Sequence, residues 1–321
     1  MKAAILEKFR SPLIICKMEI PPERKGYEII KVASCGMCRT DIHIVDGMYS
    51  DLKLPLILGH EISGFTTSGK PALIYGAVGC GKCHYCKKGE SQLCEYPSDL
   101  GINVNGGFAQ YVSVPSSNII VLEGMDPYSM SVLSDAGVTA YRAVKKIKNF
   151  TGIGANILVL GGTGGVGQFI IQLLKIILES KVTVVSRSKE KLKSALDIGA
   201  DFAKTYSDNI GYYDAVIDVV GTSDTLDFGN KHLYKDGVLV LVGEEGGQIE
   251  FGNTDVHHGE KIFMSTLWGT KTDLIDVAKI AQNNLLKWKT KSYSLENIND
   301  AMYDLRTGTF EGRILISPFI K

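Results

Sequence analysis

Residues 156 to 178 constrain the fold of this 321-residue chain more than any other stretch. Asn156-Ile157-Leu158-Val159-Leu160 is a short apolar run suited to a buried strand, and it leads directly into Gly161-Gly162-Thr163-Gly164-Gly165-Val166-Gly167. Helical periodicity runs on through Val166–Ile177 and returns at Lys189–Asp197, while Lys181–Ser186, Ala215–Val219 and Gly237–Val242 read as further apolar strands. Strand alternating with helix predicts a parallel, doubly wound sheet, because the helices cover both faces and leave the strands apolar on both sides. The reach of this pattern, about residue 136 to 287, sets one domain.

Within that domain the turn has G-x-G-x-x-G spacing read from Gly162. Glycines let the backbone turn tightly and approach a pyrophosphate, and the helix beyond presents N–H groups and a partial positive charge. Glycine-rich turns are common, so the strand before and the helix after carry the argument for a dinucleotide site at Gly162, Thr163, Gly164, Gly165, Val166 and Gly167. The second strand ends at Ser186-Arg187-Ser188, where a site preferring NAD usually has an acid for the ribose hydroxyls. A guanidinium flanked by hydroxyls suits a 2′-phosphate instead, which favours NADP(H) over NAD(H). The plainer alternative is a solvated basic turn.

Residues 1 to 135 look different: short apolar alternations such as Glu28–Val32 and Ala109–Val114, separated by Gly/Pro turns, predict a β-rich domain. All seven cysteines lie in it. Cys80, Cys83, Cys86 and Cys94 form a C-x2-C-x2-C-x7-C run within the lobe near 79–95, and four thiolates so close can complete a tetrahedral zinc shell with no open position. An iron–sulfur cluster is the rival, but its fourth cysteine should come sooner, with proline after it, and here Glu95 comes next. Disulfides suit a reducing compartment poorly. A scattered second set, Cys38, Thr40, Asp41 and His43 with Gly59-His60-Glu61, could be a second metal site or a buried cysteine among ordinary loop histidines. The residues alone leave both open.

Lys+Arg and Asp+Glu both number 35, so charge gives no reason to expect nucleic acid or an anionic membrane as partner. The N-terminus shows no signal-peptide pattern, and the most apolar run, Phe169–Leu178, is broken by Gln172 and Lys175. These features predict a cytoplasmic location. The tail, through Ser292–Leu305 and Arg313–Ile316, reads as a helix and then a strand, so residues 288–321 are expected to return to the first domain.

Taken in order, Cys38-x-Thr40-Asp41-x-His43, Gly59-His60-Glu61, the four-cysteine lobe, Gly106-Gly107-Phe108-Ala109-Gln110-Tyr111-Val112, Asp135 to Tyr141, the glycine turn and Gly312-Arg313-Ile314 resemble the zinc-containing medium-chain dehydrogenase/reductase superfamily over nearly the whole chain. The resemblance implies an α/β protein: a Rossmann doubly wound parallel-sheet domain plus a β-rich GroES-like catalytic domain. It implies one structural and one catalytic zinc, the latter held by Cys38 and His60. Many members have a cysteine where this chain has Asp135, so Asp135 is expected as third ligand, with Glu61 as second choice and capping of the next helix as the other role for Asp135. Asp41 is expected to orient His60. The cofactor set extends to Thr139, Lys191, Val242, Gly243 and Arg313.

The activity implied by the resemblance is that of a zinc-dependent oxidoreductase, an alcohol dehydrogenase/aldehyde reductase transferring hydride between NADP(H) or NAD(H) and a small alcohol, aldehyde or ketone. Thr40 would pass the released proton through the cofactor ribose to a near-surface His43. Pocket walls are expected from His43–Tyr49, Leu100 and the neighbourhood of Trp268, and a homodimer or homotetramer is expected. The competing readings are a zinc-independent NADPH-dependent enoyl or quinone reductase, whose relatives generally lack zinc ligands, and a catalytically silent dinucleotide-binding relative.

Overall fold

The computed structural model describes residues 1–320, the side chain of Glu190 excepted. In chain order the first part contains β1 (Lys2–Leu6), β2 (Ile14–Lys17), β3 (Tyr27–Met37), α1 (Arg39–Val45), β4 (Leu56–Ile57), β5 (Glu61–Phe65), β6 (Pro71–Ile74), α2 (His84–Lys87), β7 (Tyr111–Pro115) and β8 (Ile119–Val121). A 3-10 segment, Met130–Ser134, leads through Asp135 into α3 (Ala136–Ile147). The middle contains β9 (Asn156–Leu160), α4 (Gly167–Leu178), β10 (Lys181–Val185), α5 (Lys189–Asp197), β11 (Phe202–Lys204), β12 (Tyr213–Asp218) and α6 (Ser223–Lys231). It continues with β13 (Leu233–Leu241), α7 (Asn253–Gly259) and β14 (Ile262–Ser265). The end comprises α8 (Lys271–Gln282), β15 (Thr290–Ser294), α9 (Ile298–Thr307) and β16 (Arg313–Ser317).

Two compact units result. Thr139–Gly269 with Asn284–Trp288 forms one, around a sheet ordered β11-β10-β9-β12-β13-β14. Every neighbouring pair in this sheet is parallel. Counting from β9, the order is 3-2-1-4-5-6, the doubly wound arrangement in which ligands bind beyond the carboxyl ends of the strands. Ile157 to Leu160 on the central strand are fully buried, as a strand covered on both faces requires. Phe169, Ile170, Ile171, Leu173 and Leu174 of α4 are buried too, each contributing roughly 1.5–3 kcal/mol of apolar burial.

The other unit comprises Met1–Val138, Thr270–Asn283 and the chain from Lys289 onward. It holds a small β2-β1-β4 sheet and a larger one ordered β15-β16-β3-β5-β6-β8, with β7 also paired to β3. The larger sheet is antiparallel except for β15 beside β16. Three features depart from the linear pattern. The strand expected at Glu28–Val32 continues to Met37, because Cys35 and Gly36 keep pairing with β5. Ser292–Ser294, expected to begin a helix, finishes β15, since Tyr293 and Ser294 pair with Ile316 and Ser317. Helix α8 packs on the 3-10 segment Met130–Ser134, within this unit rather than with the doubly wound sheet.

Candidate functional site

Strand β3 ends at Met37 and α1 begins at Arg39, which leaves Cys38 as the N-cap residue at the junction. Asp41, third in that helix, turns back so that its Oδ2 accepts the Cys38 N–H at 2.8 Å. Its Oδ1 accepts the Gly59 N–H at 3.2 Å and stands 3.6 Å from His60 Nδ1. One fully buried carboxylate therefore ties the Cys38 junction to the His60 turn and lies beside the imidazole.

On the far side of that ring, His60 Nε2 faces Asp135 Oδ2 at 3.7 Å. Cys38, His60, Glu61 and Asp135 each bring a donor atom to the same place, all four within 4.8 Å of one another. Sulfur, imidazole nitrogen and carboxylate oxygen are the donors zinc takes. Electrostatics agree with this chemistry. Burial works against a charged His60, yet the charge of Asp41, with Asp135 and Cys38 also accepting from the ring, outweighs it and raises the imidazole pKa well above its ordinary value. Surroundings that draw a proton onto this ring also favour a cation beside it.

Glu61, the second choice for third ligand, is otherwise engaged. It is fully buried at the start of β5, and Arg313 at the start of β16 takes both its oxygens, Nε meeting Oε2 at 3.0 Å and Nη2 meeting Oε1. The same Nη2 donates to Asp135 Oδ2 at 2.8 Å. Arg313, expected at the cofactor, is buried between two carboxylates. Sheet register explains this: Leu315 of β16 is opposite Gly36 of β3, and Gly36 is opposite Glu61 of β5. Gly36 offers no side chain, so the Glu61 carboxylate lies over it; a Cβ there would fall 1.8 Å from Oε2. Sequence reasoning missed this Gly36–Glu61–Arg313 arrangement. Its one linear trace is a glycine inside a strand, which often marks a close approach.

Thr40 and His43 lie one turn apart on α1, with Thr40 Oγ1 3.7 Å from the Cys38 sulfur. His43 was expected near the surface; it is buried, with 8% of its area exposed, because α1 buries that face in the core around Ile42 and Ile44. Leu100 is buried in the same unit.

In the lobe, Cys80, Cys83, Cys86 and Cys94 bring their sulfurs within 4.8 Å of one another. The Cys83 and Cys94 sulfurs are 3.9 Å apart, close to the ~3.8 Å edge of a tetrahedron with 2.3 Å zinc–sulfur bonds. Backbone N–H groups aim at these sulfurs: Cys80 N to Cys94 Sγ at 3.2 Å, Cys83 N to Cys80 Sγ at 3.4 Å and Tyr96 N to Cys94 Sγ at 3.3 Å. Donation by the Cys86 and Glu95 N–H groups pulls the Cys83 thiol down to about 6, whereas burial pushes Cys86 up to about 12. A single tetrahedral ion fits this set. Among the described residues, these two clusters are the groups of three or more metal-type side chains.

In the other unit, the glycine turn connects β9 to α4 as the spacing predicts. A Cβ at Gly167 would lie 2.5 Å from the Gly162 backbone, so helix and turn touch only because both are glycine. At Gly164 a Cβ would meet nothing nearer than 3.7 Å, which leaves that backbone open to a ligand. Thr163 and Gly165 are part-exposed there, and Val166 is the N-cap of α4. Arg187 is exposed just past β10, between half-buried Ser186 and the α5 N-cap Ser188, whose N–H meets Ser186 Oγ at 3.4 Å. Lys191 is half-buried on α5, Thr139 is buried on α3, and Val242 and Gly243 donate their N–H groups to Asp218 O. Tyr206, which the sequence did not single out, is half-buried against Phe228: burial, then Asp218, raise its pKa, and the Arg187 charge works the other way.

Comparison with known proteins agrees with both units. Residues 24–124 match the model of the alcohol dehydrogenase GroES-like domain, and residues 165–283 match that of the zinc-binding dehydrogenase. A NAD-dependent alcohol dehydrogenase of Sulfolobus acidocaldarius is 36% identical, covering 98% of each chain. The D-arabinose 1-dehydrogenase (NADP(+)) of Saccharolobus solfataricus is 31% identical over 99% of this chain and 97% of its own. The crystal structure of the alcohol dehydrogenase from Aeropyrum pernix superposes with a TM-score of 0.93 at 31% identity, covering 99% of this chain and all of the other.

Proposed function

The chain belongs to the zinc-containing medium-chain dehydrogenase/reductase superfamily, and from that premise we propose that it is a zinc-dependent alcohol dehydrogenase/aldehyde reductase using a nicotinamide dinucleotide. The observation that carries this reading is the convergence of Cys38, His60 and Asp135. Held there, zinc would polarise a carbonyl or acidify an alcohol, and the nicotinamide would supply or accept the hydride.

The protein's own groups have distinct parts. Cys38 and Asp135 contribute two negative charges that balance a divalent ion, so charge developing on a substrate oxygen is stabilised without a large excess field. Asp41 fixes the direction in which His60 offers Nε2. Thr40 Oγ1, 3.7 Å from the Cys38 sulfur, would take the substrate hydroxyl proton as it passes its own on towards the cofactor ribose and His43. The Gly162–Gly167 turn and the start of α4 receive the pyrophosphate. Ser186, Arg187 and Ser188 hold the adenosine ribose end, and the guanidinium there favours NADP(H). The Cys80, Cys83, Cys86 and Cys94 lobe takes a structural zinc.

The test combines metal analysis with an aldehyde and ketone panel assayed separately with NADH and NADPH. Two zincs per chain are expected, with carbonyl reduction abolished in Cys38→Ser while dinucleotide binding persists. Full activity in protein without zinc, or reduction confined to activated C=C bonds, would refute the proposal.

A further inference from the structure

Asp218 closes β12, the strand beside β9 on the side away from β10. It has no exposed surface and stands opposite Leu160, the residue before the glycine turn. Its carboxylate holds three donors. Oδ1 accepts the Val220 N–H at 2.8 Å and the Gly221 N–H at 3.1 Å, and Oδ2 accepts the Thr225 hydroxyl at 2.7 Å. Its backbone carbonyl accepts the Val242 and Gly243 N–H groups at 2.8 and 3.1 Å, so one residue shapes the turns beyond both β12 and β13. Those turns meet backbone to backbone, since a Cβ at Gly243 would fall 2.2 Å from the Val220 carbonyl. A Cβ at Gly161 would fall 2.7 Å from Val220 Cγ2, so the first of them also abuts the start of the glycine turn. Burial pushes the Asp218 pKa up, and what opposes burial is these three donors rather than a cation. Burying a carboxyl opposes folding unless it is hydrogen-bonded, and every bond this side chain accepts comes from the turn after β12 or from the helix α6 that follows it.

From β9 and β12, which are neighbours, the sheet extends in opposite directions, to β10 and β11 on one side and to β13 and β14 on the other. A dinucleotide lies across the crevice beyond the carboxyl ends of the strands at such a switch point, one half over each set. With Ser186, Arg187 and Ser188 at the adenosine end beyond β10, the other half falls over β12 and β13. We infer that Asp218 is a positioning residue for the nicotinamide half of the dinucleotide: it sets the turns at 219–221 and 242–243 in the shape that receives the nicotinamide and its ribose. The inference rests on the proposed use of a nicotinamide dinucleotide and goes beyond it by separating the two halves of the site. Without the carboxylate, the Val220 and Gly221 N–H groups lose their acceptor and the two turns part. The nicotinamide half then loses its seat, while the turn at Gly162–Gly167 keeps the pyrophosphate.

The experiment titrates the zinc-loaded protein with NADH and NADPH, followed by dihydronicotinamide fluorescence, and with ADP and adenosine 2′,5′-bisphosphate, followed by calorimetry. Asp218→Leu is expected to weaken NADH and NADPH at least tenfold and to leave the two adenosine ligands within about twofold of wild type. Asp218→Asn should restore dinucleotide binding, because its Oδ1 still faces both N–H groups and Thr225 can give its hydrogen to Thr222 O, 3.0 Å away. Should Asp218→Leu fail to fold, Thr225→Val removes one of the three donors, and a smaller loss confined to the dinucleotides is expected. Wild-type dinucleotide affinity in Asp218→Leu, or in Thr225→Val where that variant stands in for it, would overturn the inference. So would an equal loss of the adenosine ligands, which marks general damage to the domain, or an Asp218→Asn protein as weak as Asp218→Leu. Wild-type protein that binds neither NADH nor NADPH would overturn the dinucleotide reading itself, and the inference with it.

Discussion

Replacing Gly36 by alanine puts the smallest possible side chain where the Glu61 carboxylate now lies. The added Cβ would be 1.8 Å from Oε2, 2.7 Å from Cδ and 2.9 Å from the Glu61 Cβ, whereas ordinary contact begins at 3.4 Å. The carboxylate must retreat by at least the difference, 3.4 minus 1.8, or 1.6 Å. Its 3.0 Å bond from Arg313 Nε cannot survive such a shift. Overpacking alone costs about 1–3 kcal/mol, but the retreat also strips a buried carboxylate of its partner, which costs about 3–5 kcal/mol. The two are one event, because the retreat is how the overlap is relieved, so about 3–5 kcal/mol is expected. At about 2–4 °C per kcal/mol this lowers Tm by roughly 10 °C. Calorimetry of Gly36→Ala at pH 7, beside Glu61→Ala and the double variant, measures the cost and its origin. The alanine should be nearly harmless once Glu61 has been shortened, a coupling that a double-mutant cycle reports directly. A Gly36→Ala protein melting within about 2 °C of wild type, less than 1 kcal/mol by the same conversion, or an equal cost in both backgrounds, would refute this reasoning.

Four further outcomes are expected. Burial raises the Asp99 carboxyl to about 6 from 3.8, with the Val78 N–H opposing; the native state then binds the extra proton between those values, so this group's contribution to stability falls as pH rises from about 4 through about 6 and is level above. Asp99→Asn should flatten that part of the stability–pH curve, and an unchanged slope in denaturant titrations would count against it. Arg187→Asp should raise KM for NADPH at least tenfold while leaving or lowering that for NADH, since the substitution removes a guanidinium and installs a ribose acceptor; equal effects on both would mean Arg187 does not contact a 2′-phosphate. Asp135→Ala should lose one zinc of two and nearly all turnover, as read by metal analysis beside steady-state rates, with full zinc content as the contrary result. Chelating the lobe zinc should speed proteolysis within residues 79–95, because four thiolates without an ion leave a short loop with little apolar core; unchanged cleavage kinetics would contradict a structural role.

Much of the doubly wound sheet was legible in linear order. β9 and α5 have the limits the pattern gave, because an apolar run and a helical period are short-range properties. β15 was not: Lys291, Ser292 and Tyr293 carry no apolar alternation, and they are a strand because β16 lies beside them. Interspersed polar residues on an edge strand are decided by the neighbour rather than by intrinsic preference.

The same division holds for the site. Cys80, Cys83, Cys86 and Cys94 fall within one short loop, and Gly162 to Gly167 within one turn, so local chain geometry limits what they can surround, and the sequence determined that each set would sit together. Cys38, His60, Asp135 and Arg313 come from four separated segments, and no spacing relates them. Their meeting depends on the register of β16, β3 and β5, on a strand glycine that leaves room for Glu61, and on one aspartate bonded to two backbone turns. Tertiary structure alone decided that Arg313 faces Glu61 and Asp135, because a long-range ion pair forms only where packing has already brought both strands together.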